Sequence, residues 1–258
     1  METIQQYRRN PWVVCLLPFI AYMLVGSFQP SPPAPDAKPS VAGQTIEDLH
    51  DEYHSQFRAN YALKVGLTLA AVIFVLPGYR EYPWRLHFSA IAVGLLGVVV
   101  WVALAKWQHQ WMPWLADQTG IEWLKSLGQR SGNDLLSEKF LADQDSRWLF
   151  FALRLFGLAV LVPIVEEFFL RGFLMRYVMG DRWWEVPFGT VNRTAVIAGT
   201  LMPILMHPQE AVAALIWFSM VTWLMVRTRS IGDCILAHAI TNLSMAVYVV
   251  SSGDWWLM

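Results

Sequence analysis

Charge is scarce in this chain. Of its 258 residues only 15% are Asp, Glu, Lys or Arg, against 55% hydrophobic. A water-soluble domain of this length carries about a quarter charged residues to keep its surface hydrated, so the composition argues against a soluble globule and for a polytopic membrane protein. The formal net charge is −1 and no basic stripe occurs, which removes any reason to expect a nucleic-acid partner. Cysteine is nearly missing. The two present, Cys15 and Cys234, both lie in apolar stretches, where a thiol is more often a small core residue than half of a disulfide. There is no internal repeat and no glycine motif for phosphates or dinucleotides.

What fills the space is long apolar runs. A helix crossing the hydrocarbon needs about 20 such residues. The runs at 11–28, 61–79, 86–107, 148–179, 194–207, 210–226 and 231–251 predict an all-α, polytopic transmembrane helix bundle of about seven spans, the fifth of them short. The first run follows Arg8 and Arg9 as a signal peptide would, but no small-x-small cleavage pattern follows it, so it is expected to be retained. Between the first two runs lies a proline-rich linker that turns acidic, expected to be extended and then to form a polar surface segment. Residues 108–147 mix Trp111, Trp114 and Trp123 with charges, as one or two amphipathic helices at the membrane surface would. The expected organisation is an amino-terminal region, 1–147, with three spans, the linker and the amphipathic segment, followed by a four-span core, 148–251. Arginines at 8, 9, 80, 85, 176, 182, 193, 227 and 229 fall on alternate connections, which predicts an amino terminus on the cytoplasmic side. "NRT" at 192–194 spells a glycosylation site but falls on that same inner side.

One run breaks its own rule. "LAVLVPIVEEFFLRGFLMRYV", residues 158–178, holds Glu166, Glu167 and Arg171 among apolar neighbours. Each ionisable group at mid-bilayer costs about 2.5–3.5 kcal/mol on insertion scales, and such groups are functional by default. Glu167 and Arg171 are four apart with the acid first, the favourable order for a helical pair. Glu166 points about 100° away and has no partner on its own helix. A carboxylate in apolar surroundings holds its proton more tightly and suits proton transfer near neutral pH. Two other runs add polar groups: "GTLMPILMHPQE" ends at His207 with Pro203 four residues before it, and "HAITN" sets His238 and Asn242 on one helical face. Each of these alone would read as a helix cap or as interhelical hydrogen bonding. Together they make a hydrolytic inventory on three helices.

The set resembles the CAAX-protease and bacteriocin-processing family of intramembrane proteases, also called Abi. "EEFFLR" matches its EExxxR motif and "HAITN" its HxxxN motif; "PILMH" matches the histidine of FxxxH, with Pro203 in place of the phenylalanine. The likeness covers about residues 148–251 and extends to a CAAX prenyl protease-related subgroup found beside bacterial exopolysaccharide systems. It implies an integral protein of the bacterial inner membrane that hydrolyses peptide bonds of membrane-associated proteins or peptides, prenylated or otherwise lipid-linked ones among them. It further implies Glu166 as general base, His207 positioning the water, Glu167 and Arg171 holding the site's shape, and His238 with Asn242 stabilising the oxyanion.

The cofactor reading favours none, with zinc as the alternative. Glu166, His207 and His238 with a water would form a catalytic zinc set, but a zinc-bound Glu166 could not also be the base and Glu167 would have to take over. Without metal, Glu166 is the base and neutral His238 and the Asn242 amide donate to the oxyanion. Other intramembrane chemistries find no residues. HExxH is missing, Asp233 is the one aspartate near a span, and Ser219 and Ser244 lack a nucleophile signature. Two non-proteolytic readings also fit a buried acid–histidine cluster: a scaffold that keeps it for assembly, and a proton-coupled transporter, against which the missing repeat counts. Phe168, Phe169 and Phe173 around the acids read as packing.

Overall fold

The computed structural model describes residues 2–33, 45–127 and 144–257, and among them the chain is all-helical. Helices α1 (Glu2–Arg9) and α2 (Pro11–Gly26) meet at a 73° bend. The long helices α3 (Ile46–Tyr79) and α4 (Phe88–Thr119) follow. Then come α5 (Trp148–Tyr177), the short α6 (Arg193–Met206), α7 (Ala211–Thr228) and α8 (Ile231–Ser252).

Local chemistry sets the ends. The Asn10 side chain caps α2 ahead of Pro11, and Thr45 with Asp48 forms a reciprocal capping box on α3. Asn192 caps α6 by accepting from the Ala195 amide, so the asparagine of the glycosylation string serves as a helix cap. Gly120 and Gly253 close α4 and α8 in the left-handed conformation.

Among the described residues, five helices are long and apolar enough to cross a bilayer, or six if the bent α1–α2 pair is one span, which makes the molecule the polytopic integral membrane bundle that was expected. Hydropathy measures apolar length and is blind to where a helix stops. At about 1.5 Å per residue, the 16 residues of α2 reach about 24 Å and the 14 of α6 about 21 Å, short of a hydrocarbon core of about 30 Å. The structure adds detail to two expected segments. Residues 46–57, expected as a polar surface segment, are the first turns of α3, begun by the capping box and met by no proline before Pro77. Residues 108–119 likewise continue α4 through Pro113 rather than forming their own helix; past Gly120 a short 3₁₀ turn, Glu122–Leu127, remains of the amphipathic segment. Residues 34–44 of the linker and 128–143 lie outside the described residues. Cys15 and Cys234 are both buried free thiols, as their settings suggested.

In the bundle, α2 packs along α3, α8 along α4, and α7 against α4, α6 and α8. The α4–α8 contact depends on Gly97. A Cβ there would meet the Trp217 indole nitrogen and, at 2.6 Å, the Thr241 hydroxyl, which itself donates to the Gly94 carbonyl at 2.9 Å. Small residues of this kind let membrane helices approach closely. Helix α5 is wound unevenly, with π-helical turns at Gly157–Leu161 and Phe168–Leu174 on either side of Val162–Glu167. Such turns re-aim side chains and recur at functional sites.

Gly97→Val is expected to force α4 away from α8 and lower stability by about 1–3 kcal/mol, the usual cost of overpacking. Thermal unfolding in detergent reads this directly, and an unchanged midpoint would show that the helices do not meet there.

Candidate active site

The segment Val162–Glu167 carries both acids to one depth in the bundle, and they part company. Glu167 and Arg171 are fully buried, whereas Glu166, 5% exposed, reaches a cavity of about 570 Å³. The i,i+4 pair that the spacing suggests is present, with Arg171 Nη1 donating to Glu167 Oε1 at 2.9 Å. Arg171 Nη2 also donates to the Phe218 carbonyl of α7 at 3.1 Å, and the guanidinium lies over the Phe218 ring. A buried ion pair is tolerated in low dielectric only when such extra bonds complete it.

His238 joins the two acids. Its Nδ1 is 2.9 Å from the same Glu167 Oε1, and its Nε2 is 4.0 Å from Glu166 Oε2. Glu167, already facing a guanidinium, serves as acceptor, which makes Nδ1 the donor and leaves Nε2 turned toward Glu166 and the cavity. The ring is held edge-on to Trp217 at 4.6 Å, and the Trp217 indole donates to Thr241 at 3.1 Å.

His207 ends α6 and lines the same cavity. Its Nδ1 stands 3.0 Å from the Pro203 carbonyl, which fixes that nitrogen as donor and leaves Nε2 an acceptor. Trp101 and Phe218 flank the ring. Asn242 lies one helical turn after His238, and its amide donates to the Leu158 carbonyl at 2.8 Å. That bond has a backbone origin. In the first π-turn the Val162 amide reaches back five residues to Gly157. The next bond in the series would run from residue 163 to Leu158, but residue 163 is a proline and has no N–H. Asn242 supplies the missing donor, and its second amide hydrogen remains for the cavity.

Glu166, His207, His238 and Asn242 therefore line one hollow, with Glu167 and Arg171 behind it. Among the described residues no three His, Cys, Asp or Glu side chains stand close enough together to hold a metal ion.

The rest of the cavity lining was not foreseen from motifs, and much of it comes from the first 147 residues. Tyr22, Tyr61, Lys64 and Trp101 line the cavity, with Arg154 from α5. Two of these were open to the same reasoning that singled out the acids, because Lys64 in "NYALKVGL" and Arg154 in "LFFALRLF" are also lone charges in apolar runs.

A family model described as Type II CAAX prenyl endopeptidase Rce1-like matches residues 148–244, the stretch that carries all six of the motif residues. No curated protein and no solved structure matches the chain.

Arg171→Met leaves Glu167 as a buried charge without its counter-ion and should cost about 3–5 kcal/mol. Thermal unfolding of the purified protein checks this, and a loss under about 1 kcal/mol would mean the pair is not buried as described.

Proposed function

We propose, on the match of residues 148–244 to the Rce1-like CAAX endopeptidase family model, that the protein is an intramembrane endopeptidase acting on membrane-associated peptides, lipid-modified carboxyl termini among them. One observation carries the reading: an acid and two imidazoles from three helices face a single cavity within the bundle. In a proton-coupled transporter the same groups would relay protons, but the family match favours hydrolysis.

The proposed chemistry uses the groups in a fixed order. Glu166 Oε2 takes a proton from a water in the cavity, and the His207 Nε2 lone pair orients that water by accepting its other hydrogen. The hydroxide attacks the scissile carbonyl carbon. Negative charge then develops on the carbonyl oxygen, where the free amide hydrogen of Asn242 donates. His238, held through Nδ1 by the Glu167 carboxylate, brings Nε2 to the same side of the cavity. A ring whose single proton sits on Nδ1 has none to offer at Nε2, so in this tautomer the Asn242 amide carries the oxyanion donation expected of the pair. The proton held by Glu166 passes to the leaving amine as the C–N bond breaks. Arg171 takes no proton; its hydrogen bond holds Glu167 aimed at His238.

Glu166→Gln keeps the side-chain shape and removes the base. Cleavage of a membrane-anchored peptide is expected to fall about 10²–10⁴-fold, with helix content and melting temperature unchanged. Wild-type cleavage by that variant would remove Glu166 from the chemistry and leave the cluster as an assembly device.

A further inference from the structure

The two ends of the bundle differ in charge and in access. Arginine gathers at one end. Arg8 donates to the Phe74 carbonyl at 2.8 Å, Arg9 pairs with Glu81 at 3.4 Å, and Arg176 donates to the Tyr82 hydroxyl at 3.3 Å. The Arg85 amide donates to the Ser230 hydroxyl at 2.9 Å, beside the α7–α8 turn that carries Arg227 and Arg229. Arg182 and Arg193 lie on the connection from α5 to α6, so every connection at this end bears arginine. At the opposite end the α6–α7 turn, residues 208–210, has no lysine or arginine. The connection at 120–147 does carry cations among its acids, and of these Lys125 is paired with Asp117 and Glu122. Short connections rich in arginine stay on the cytoplasmic side as a helix bundle inserts.

Access runs the other way. The cavity is lined by Gln29, Pro30 and Ser31 after α2, Tyr53 of α3, Gln209 of the α6–α7 turn and Leu257 after α8, all toward the end away from the arginines. Among the described residues no lining residue comes from 79–87, 178–192 or 228–231. A floor separates the acids from the arginine end. Phe168, next to Glu167, is wholly buried, with the Tyr79 ring stacked on it at 3.6 Å and the Tyr82 and Trp84 rings at 4.9 Å and 6.0 Å. At the same end the buried Asp233 carboxylate accepts from the His87 amide at 2.8 Å and meets the His87 ring at 2.6 Å, tying the α3–α4 connection to the start of α8. Packed shut in this way, the floor leaves water and substrate to reach Glu166 from the opposite end.

We infer that the cavity opens on the extracytoplasmic face of the membrane and that the substrate is a peptide segment already carried across it. A segment still in the cytoplasm would meet the closed floor. Cleavage then follows translocation, and a reaction that exports the substrate chain must come before this one. The inference rests on the peptidase reading for its substrate class, whereas the side on which the cavity opens is read independently of any activity.

The test uses the full-length protein in the inner membrane of bacterial cells, with single cysteines added to a chain whose own two thiols are buried. Ser31→Cys marks the cavity end, Asp181→Cys the arginine end, and Met245→Cys, on α8, the cavity lining. A membrane-impermeant maleimide applied to intact spheroplasts is expected to label Ser31→Cys and Met245→Cys and to leave Asp181→Cys unlabelled until lysis. The reverse pattern overturns the inference, as does a Met245→Cys that reacts only after lysis or not at all. Cleavage is read separately with one lipid-anchored peptide, either displayed on the outer surface of the spheroplasts or made in the cytoplasm without an export signal. Loss of cleavage is expected for the cytoplasmic form alone. Labelling as expected with neither form cleaved would uphold the orientation while removing the peptidase reading. Cleavage of the cytoplasmic form at the rate of the displayed one would overturn the substrate class.

Discussion

A single carboxylate oxygen organises this site. Glu167 Oε1 accepts from Arg171 on its own helix and from His238 on α8, each at 2.9 Å, while Arg171 continues to a carbonyl of α7. In a medium where an unpaired charge costs several kcal/mol, this arrangement binds three helices with one ion pair and fixes an imidazole without using its second nitrogen. Everything presented to the cavity follows from that. Glu166, one residue earlier, is turned away from the pair and faces the hollow with His238 Nε2 at 4.0 Å.

The backbone contributes as much as the side chains. Uneven winding of α5 brings adjacent acids to different environments, one enclosed and one facing the cavity. Pro163 strips the Leu158 carbonyl of its backbone donor, and Asn242 fills the gap. The helix irregularity and the asparagine are thus two parts of one hydrogen-bond account. Helices from the first 147 residues supply tyrosines and Lys64 to the same cavity, so the site is a joint product of both parts of the chain.

How much of this was legible beforehand varies by residue. The Glu167–Arg171 pair could be read from a spacing of four, and the lack of a partner for Glu166 on its own helix from a spacing of one, because both are properties of a single helix. That His238 would bridge the acids could not be read, since nothing local links position 238 to position 167. Lys64 and Arg154 stand in the sequence as lone charges in apolar runs, but no motif frames them. Apolar length in the sequence does not mark where a helix stops, so the shortness of α2 and α6 is a finding of the structure. Polar composition hides the joins at 46–57 and 108–119, because polar residues do not end a helix that capping and continuous backbone hydrogen bonding carry on.

A double-mutant cycle between Glu167 and His238 tests the central interaction most directly. Unfolding free energies of Glu167→Gln, His238→Gln and the double variant are measured in detergent, together with single-turnover cleavage by each. The account predicts a coupling of about 1.5–3 kcal/mol, the range for a buried hydrogen bond to a charged group, and a double variant that cleaves no more slowly than the worse single one. Additive stabilities, with independent losses of rate, would show that Glu167 does not hold His238 and would contradict the account at its base.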